Sequence, residues 1–525
     1  MTARPEPMKS GESPTSATFV TGTVKENAMT PRKPQPSPVR DNTRAGVTIT
    51  LLCGLMDNDS TGRIVAAMTA WIAAAPPGAR VPSNRALTAE FAASPVTVQN
   101  AMRQLAGRGL IESRPGVGTF VRAARPARSV DYGWQTAALG ALPWRSGALS
   151  SAQRSVAPAA IAMHSGYPAR ELLPERLVRA ALARAARTDV AMTRSPAAGS
   201  PELQAWFAAD LAAAAPPGVA PPTARDVIVI SGSQSGLSSI FRALVGPGQP
   251  MLIESPSYWG AILAAEQAGV TLVPVPTGPD GPDPDVVERA FQDTGARAFY
   301  AQPTFANPTG GRWSPETGVA ILEIVRRHGA FLVEDDWAHD LAIDVDARPL
   351  AALDDDGHVI YLRSLTKSVS PALRVAAVIA RGPAHDRILA DLAAESMYIS
   401  GVLQAAALDV VTQPGWRSHL RGLRPLLRAR RDLLVASLRE HAPTAHLERL
   451  PLGGLNLWLR LPEGTDVPRV VRTCESRGLI VSDGTEWFPA EPAGSYLRVN
   501  YSGEDAGRFD EAARILAGVL EDERA

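Results

Sequence analysis

Lys367 stands out by scarcity. The chain has 53 lysines and arginines, yet only four are lysine, and Lys9, Lys25 and Lys33 lie near the N-terminus. From Pro34 to Ala525 every other cation of this kind is arginine. Arginine stays protonated, whereas a lysine amine can lose its proton and attack a carbonyl. Lys367 sits in His358–Ala380, between two strand-like runs. By count alone it is either a nucleophile or a chance surface lysine, and its surroundings decide between them.

Four strand ends carry polar residues that an ordinary sheet does not need. After Val227–Ile230 comes Ser231-Gly232-Ser233-Gln234-Ser235-Gly236, opening a helix. Small residues there let backbone N–H groups approach an anion, although such turns are common. After Ala298–Gln302 comes a turn ending Ala306-Asn307-Pro308-Thr309-Gly310, rigid enough to aim the Asn307 amide. After Phe331–Val333 come Glu334, Asp335, Asp336 and Trp337. Carboxylates at a buried strand end are costly without a cation or donor. The fourth end gives Ser364-Leu365-Thr366-Lys367, with Arg374 seven residues on. One cofactor satisfies these groups together. It has a phosphate, an aldehyde, a phenolic oxygen and a ring nitrogen that favours a carboxylate partner, and pyridoxal 5'-phosphate fits that description.

The elements that must hold these residues are legible in outline. From about residue 158 buried-strand runs alternate with helical stretches. The runs are Val227–Ile230, Met251–Glu254, Thr271–Val275, Ala298–Gln302, Phe331–Glu334, Val359–Leu362 and Val375–Ala380. The helical stretches include Ser235–Leu244 and Pro315–His328. This alternation predicts an α/β domain over 158–525, with a mostly parallel sheet and helices on both faces. A smaller α+β subdomain is expected over about 400–525, with strands near Leu455–Leu461 and Tyr496–Tyr501.

The preceding part differs. Residues 1–58, rich in Pro, Ser and Thr, read as a disordered tail, with Met29 an alternative start. Residues 123–157 read as a linker. Between them, 59–122 predicts three helices and a hairpin. Ile64, Met68, Trp71 and Ile72 share a helical period; Ser83 and Ser94 can cap the next two helices. Leu110-Ile111 and Phe120-Val121 flank the Gly-bearing turn Pro115–Gly118. That order is a winged helix-turn-helix. Seven arginines stand against Asp59, Glu90 and Glu112 here, an excess of four in a chain of net charge zero. A local basic patch in a neutral chain points to nucleic acid. The helix from Pro95 would offer Thr97, Gln99, Asn100 and Arg103 to the major groove.

The two cysteines, Cys53 and Cys474, fit no metal or disulfide spacing, so no metal is expected. The apolar run Val47–Met56 is too short to span a membrane, and no signal-peptide pattern precedes it. A cytoplasmic protein is expected.

Residues 62–121 resemble a GntR-type winged helix. The resemblance rests on P-G-x-x-x-P-S-x-R at Pro77–Arg85, T-V at Thr97-Val98, L-x-x-x-G-L-I at Leu105–Ile111 and G-x-G-T-F-V at Gly116–Val121. It implies DNA contact by Arg85 and by the wing glycines Gly116 and Gly118. The family usually places a DNA-reading arginine where this chain has Pro95. From about Pro158 to Leu520 the chain resembles the fold-type I aminotransferases, and the whole is similar to the MocR subfamily of GntR regulators. That resemblance implies Lys367 as the Schiff-base lysine and Asp335 as partner of the pyridine nitrogen. It implies Asn307 on the phenolic oxygen, Tyr258 stacked on the ring, and Ser233, Gln234, Ser364 and Arg374 on the phosphate. Arg498 would take a substrate α-carboxylate. Trp337 stands where the family commonly has a tyrosine that helps hold the phenolic oxygen; it can donate a hydrogen bond but cannot exchange a proton. Arg194 replaces the tyrosine that reaches a partner subunit's phosphate.

The implied function is a regulator that binds double-stranded DNA and senses pyridoxal phosphate or an amino-acid or amine ligand, as a head-to-tail homodimer. A working aminotransferase with an appended DNA-binding domain, and a cofactor-free scaffold, remain as alternatives. Arg85→Ala is expected to weaken DNA binding at low salt and to reduce the salt slope by about one. A titration against salt checks this; equal affinity would place the DNA face elsewhere.

Overall fold

The computed structural model describes residues 60–122, 135, 150, 153–154, 156–157, 159–346 and 348–524. The expected tail and most of the expected linker lie outside the described residues. The chain divides into two compact units, one ending at Trp144 and the other starting at Arg145.

The first unit is a three-helix winged helix. Helix α1 spans Ser60–Ala74, α2 Asn84–Glu90 and α3 Pro95–Gly107. Ser83 Oγ accepts from the Ala86 N–H and Ser94 Oγ from the Thr97 N–H. These side chains satisfy donors that a helix start leaves open, and Pro95 at the first position gives up none that is needed. Ile64, Met68, Leu87, Val98, Ala101, Leu105 and Ile111 form one core. Strands β1 (Ile111–Arg114) and β2 (Gly118–Val121) pair antiparallel as the wing. Gly118 has φ +140, and a Cβ there would come within 3.1 Å of Arg80 Nε. Arg80 in turn donates to the Val117 carbonyl at 3.1 Å and braces the wing.

The second unit has two lobes. Its large sheet runs β4-β11-β10-β9-β8-β5-β6-β7. The strands are β4 (Val227–Ile230), β5 (Pro250–Ser255), β6 (Thr271–Gly278), β7 (Gly281–Pro282), β8 (Ala298–Ala301), β9 (Phe331–Asp336), β10 (Val359–Ser364) and β11 (Ala376–Ile379). β5, β6, β8, β9 and β10 are parallel, and β7 and β11 run against their neighbours. Alternation along β4 shows why the run is apolar throughout. Val227 and Val229 face a core with Leu203, Phe207 and Ala406, while Ile228 and Ile230 face one with Leu237 and Ile388. Both faces are covered, so both must be apolar.

The small lobe has the antiparallel sheet β12-β13-β16-β15: His446–Leu447, Asn456–Arg460, Tyr496–Asn500 and Ser482–Asp483. Its core is drawn from a different set of segments than 400–525 alone. The helix Gly401–Thr412 packs into the large lobe through Ala406, Ala407 and Val410. Conversely, Ile161, Met163, Ala169 and Leu172 join the small-lobe core. The two-residue strands β3 (Ile161–Ala162) and β14 (Leu479–Ile480) pair in parallel. A strand of two residues carries no readable period, which is why the pattern alone assigns 161–172 to neither lobe. Among the described residues no helix is long and apolar enough to cross a membrane.

Leu105 is fully buried in the winged-helix core. Leu105→Ala is expected to cost about 2–5 kcal/mol of that unit's stability. Hydrogen exchange across residues 60–107 should show the loss there while protection in 227–379 stays unchanged.

Candidate functional site

The strand ends of the large sheet meet the small lobe around a cavity of about 340 Å³. β4, β8, β9 and β10 bring their C-terminal ends to one edge of the sheet, where ligands of open α/β sheets gather. Ser233, Gln234, Tyr258, Asn307, Asp335, Trp337, Ser364, Lys367, Arg374 and Arg498 all line this one cavity. Gln153, Gly166, Tyr167, Trp259, Gln302, Thr366 and Trp487 complete its wall.

Asp335, at the end of β9, is 1% exposed. Its Oδ2 accepts from the Tyr300 hydroxyl and the Gln302 amide, both at 2.9 Å, and its Oδ1 has no partner. Burial is the largest influence and pushes the carboxyl up to about 6, against the opposing pull of Gln302, Tyr300 and Lys367. A cationic ring N–H at Oδ1 would restore the charged form. Lys367 Nζ lies 3.2 Å from the centroid of the Tyr167 ring. Burial holds this amine well below the ordinary lysine range, with Arg498 and Arg374 acting in the same direction and Asp335 opposing. A depressed lysine is the neutral nucleophile that carbonyl chemistry needs.

The anion end lies at helix α4 (Ser233–Ile240). Gly232 has φ +82, and a Cβ on it would meet Arg374 Nη2 at 2.5 Å. The glycine is thus required both by its backbone and by the guanidinium stacked on it. Ser233 Oγ and Thr366 Oγ1 are buried without partners. The Gln234 side chain is already engaged: it donates to the Gly260 carbonyl at 2.7 Å and accepts from the Tyr258 hydroxyl at 3.3 Å. What Gln234 offers an anion is therefore its place in the first helical turn. Ser364 Oγ accepts from the Thr366 N–H at 3.2 Å.

Arg498, on β16, is fully buried, and its acceptors are neutral. Nη1 donates to Asn456 Oδ1 and Nη2 to the His164 carbonyl, each at 2.6 Å. Nε has no partner, and the guanidinium lies 4.6 Å over the Trp487 ring. Burial lowers this arginine to about 10, which marks a cation short of an anion. A Cβ on Gly166 would be 3.9 Å from both Arg498 Nη1 and Lys367 Nζ, so that glycine keeps the space between them open.

The Trp337 indole N–H donates to the Phe305 carbonyl at 3.1 Å. Its one donor is thus engaged within the protein, and Trp337 lines the cavity as an aromatic wall. Asn307 remains as a donor, its Oδ1 facing Asn456 Nδ2 at 3.5 Å.

In the winged helix, Arg85, Gln99, Arg103 and Gly116 are exposed. Arg103 Nη1 donates to Asn100 Oδ1 at 3.0 Å, and the Thr97 and Ser94 hydroxyls share a hydrogen bond of 2.8 Å.

Comparison with known proteins gives this arrangement its class. Residues 164–516 match the family described as aminotransferase class I and II, and residues 61–121 match bacterial regulatory proteins of the gntR family. The chain belongs to the class I and II aminotransferase family. With its gntR region, it has the make-up of the MocR-type DNA-binding transcriptional regulators. It is 29% identical over 449 residues to the probable rhizopine catabolism regulatory protein MocR of Rhizobium meliloti, covering 84% of this chain and 89% of that one. It is also 29% identical over 369 residues to a 2-aminoadipate transaminase of Thermus thermophilus, covering 69% and 90%. Among solved structures, the α-aminoadipate aminotransferase LysN of that organism, complexed with N-(5'-phosphopyridoxyl)-L-leucine, superposes with a TM-score of 0.65 at 27% identity, over 71% of this chain and 96% of that one.

Pyridoxal phosphate is the cofactor of this family, and the orphaned groups fit it. Ser233 Oγ and Thr366 Oγ1 await an anion's oxygens, Asp335 Oδ1 a ring N–H, and Lys367 an aldehyde. Tyr300, Gln302, Asn456, His164 and Tyr167 escaped the sequence reading. Gln302 ends a recognised strand run, a usable signal; the others support first contacts across long sequence separations that no local spacing encodes.

Because Asp335 is raised in the fold, the folded apoprotein binds more protons than the unfolded chain between about pH 4 and 6. Its contribution to stability therefore falls as pH rises through that window. Asp335→Asn should remove this fall, gaining on the order of 2–3 kcal/mol over the parent at pH 7. Denaturation midpoints of both apoproteins from pH 4 to 7 check it; parallel curves would mean an ionised Asp335 throughout.

Proposed function

We propose that the protein is a cytoplasmic regulator that binds DNA through its winged helix and holds pyridoxal phosphate at Lys367 in the cavity. It senses the cofactor, or an amino acid or amine that meets it there. One observation carries this reading. In a chain that also bears a winged helix, a depressed lysine, a half-satisfied Asp335 and a buried Arg498 with only neutral acceptors line a single cavity.

When bound, the cofactor supplies an aldehyde that condenses with amines and a ring that withdraws electrons. Ser233, Thr366, Arg374 and the first turn of α4 fix its phosphate. Asp335 holds the ring nitrogen protonated, with Tyr300 and Gln302 keeping the carboxylate aimed. Asn307 holds the phenolic oxygen. Lys367 would hold the aldehyde and is placed to move a proton at a ligand's α-carbon, and Tyr258 would form the aromatic wall. Arg498 takes an α-carboxylate bidentately, which orients the amine toward Lys367. Arg85, Thr97, Gln99, Asn100, Arg103 and the wing glycines form the DNA face.

A head-to-tail homodimer suits the exposed side chains of Met192 (91%), Met397 (68%) and Tyr398. They flank adjoining segments, since a Cβ on Gly401 would lie 2.8 Å from Ser195 Oγ. Arg194, two residues from Met192, is exposed as well. A second reading, a working aminotransferase, draws on the presence of Lys367, Asp335 and Arg498 together. Steady turnover with amino-acid and keto-acid pairs would favour it.

Lys367→Ala is expected to abolish the visible absorbance of the lysine-bound cofactor without changing the thermal midpoint of the apoprotein by more than a few degrees. Unchanged absorbance would remove Lys367 from its role. The function itself is tested by binding the full chain to its own upstream DNA, with and without pyridoxal phosphate, at fixed salt. A cofactor-dependent affinity or footprint is the expected result. Unchanged binding would shift the signal to an amino ligand, and absence of binding would favour the enzyme.

A further inference from the structure

We infer that the winged helix reads thymine methyl groups through Val96, so that apolar contact sets part of its operator preference. This rests on the DNA-binding reading above.

The first turn of α3 is the part of a recognition helix that meets base edges. Here it presents Pro95, Val96 and Thr97. Pro95 has no side-chain donor and no N–H. The Thr97 hydroxyl is tied to Ser94 Oγ at 2.8 Å, and that same oxygen accepts the Thr97 N–H at 3.1 Å. The two hydroxyls cap the helix together, which leaves Thr97 its methyl to offer. Val96 is 65% exposed, whereas Val98 two residues on is fully buried in the core. Packing therefore gives no reason for an apolar residue at 96. Further along, Arg103 is bound to Asn100 Oδ1, and Gln99 is the first exposed amide.

The setting of Val96 selects its partner. Arg80, Arg85, Arg103, Arg108 and Arg114 are all exposed in this unit, and this cationic surface suits a polyanion. A lone valine beside a proline is far smaller than the several hundred Å² that an apolar protein contact uses. In the major groove, the apolar group on a base edge is the thymine C5-methyl, and short aliphatic side chains are what contact it. A cationic face with methyl groups at the tip of its reading helix fits thymine within a phosphate track. Guanine, which is read by a charged donor fork, has no partner in this first turn.

The test uses the full-length protein loaded with pyridoxal phosphate. Binding sites are selected from a random duplex library at 150 mM salt, and each thymine of the selected site is then replaced by deoxyuridine. At one or two thymines the loss of the methyl should weaken binding about fourfold, as burial of one methyl predicts. In Val96→Ala the same replacement should change affinity by less than about twofold, while the penalties elsewhere in the site persist. Val96 supports no core, so this variant keeps the fold, which circular dichroism verifies. A selected site indifferent to every methyl, or a methyl penalty unchanged in Val96→Ala, overturns the inference and leaves the DNA reading standing. Failure to select any sequence overturns both.

Discussion

Buried charge without a full set of partners is the constraint from which the cavity follows. Asp335 has one oxygen satisfied and one bare; Arg498 is held by neutral acceptors; Lys367 is pushed toward its neutral form by burial, with Arg498 and Arg374 acting the same way. Each is costly alone. They persist because the sheet fixes them: Asp335 on a central strand, Lys367 just past the next, and Arg498 on the small lobe's sheet. The deficits are complementary to one molecule with an anion, a ring nitrogen, a carbonyl and, once it has met an amino acid, a carboxylate.

Both lobes therefore line a single cavity. The large lobe supplies what would hold the cofactor, and the small lobe supplies Arg498. The His164 carbonyl that holds Arg498, and Gly166 and Tyr167 beside it, come from the stretch that opens this unit. That stretch packs with the small lobe although it precedes the large sheet in sequence.

Much of this was legible in the residues. The strand ends were readable because parallel strands buried on both faces leave unbroken apolar runs, and a polar residue just past such a run is conspicuous. Lys367 was readable because the chain uses arginine almost everywhere else. The caps Ser83 and Ser94 were readable because the rules for helix starts are local. What escaped was tertiary. Tyr300 and Gln302 meet Asp335 from a neighbouring strand, and Asn456 meets Arg498 from an antiparallel strand some forty residues away in sequence. For Trp337 the donor was legible, but only the fold shows that the Phe305 carbonyl accepts it. The small lobe's first strand, two residues long, had no period to read.

The scarcity of lysine has an analytical consequence. A protease that cleaves only after lysine has no site between Lys33 and Lys367, or after Lys367, in the denatured chain. Reducing a cofactor linkage to Lys367 converts that amine to a bulky secondary amine, which such a protease does not accept. The occupied fraction of the site then reads as the share of chains left as uncut 34–525 rather than split into 34–367 and 368–525, without any chromophore and in a crude extract.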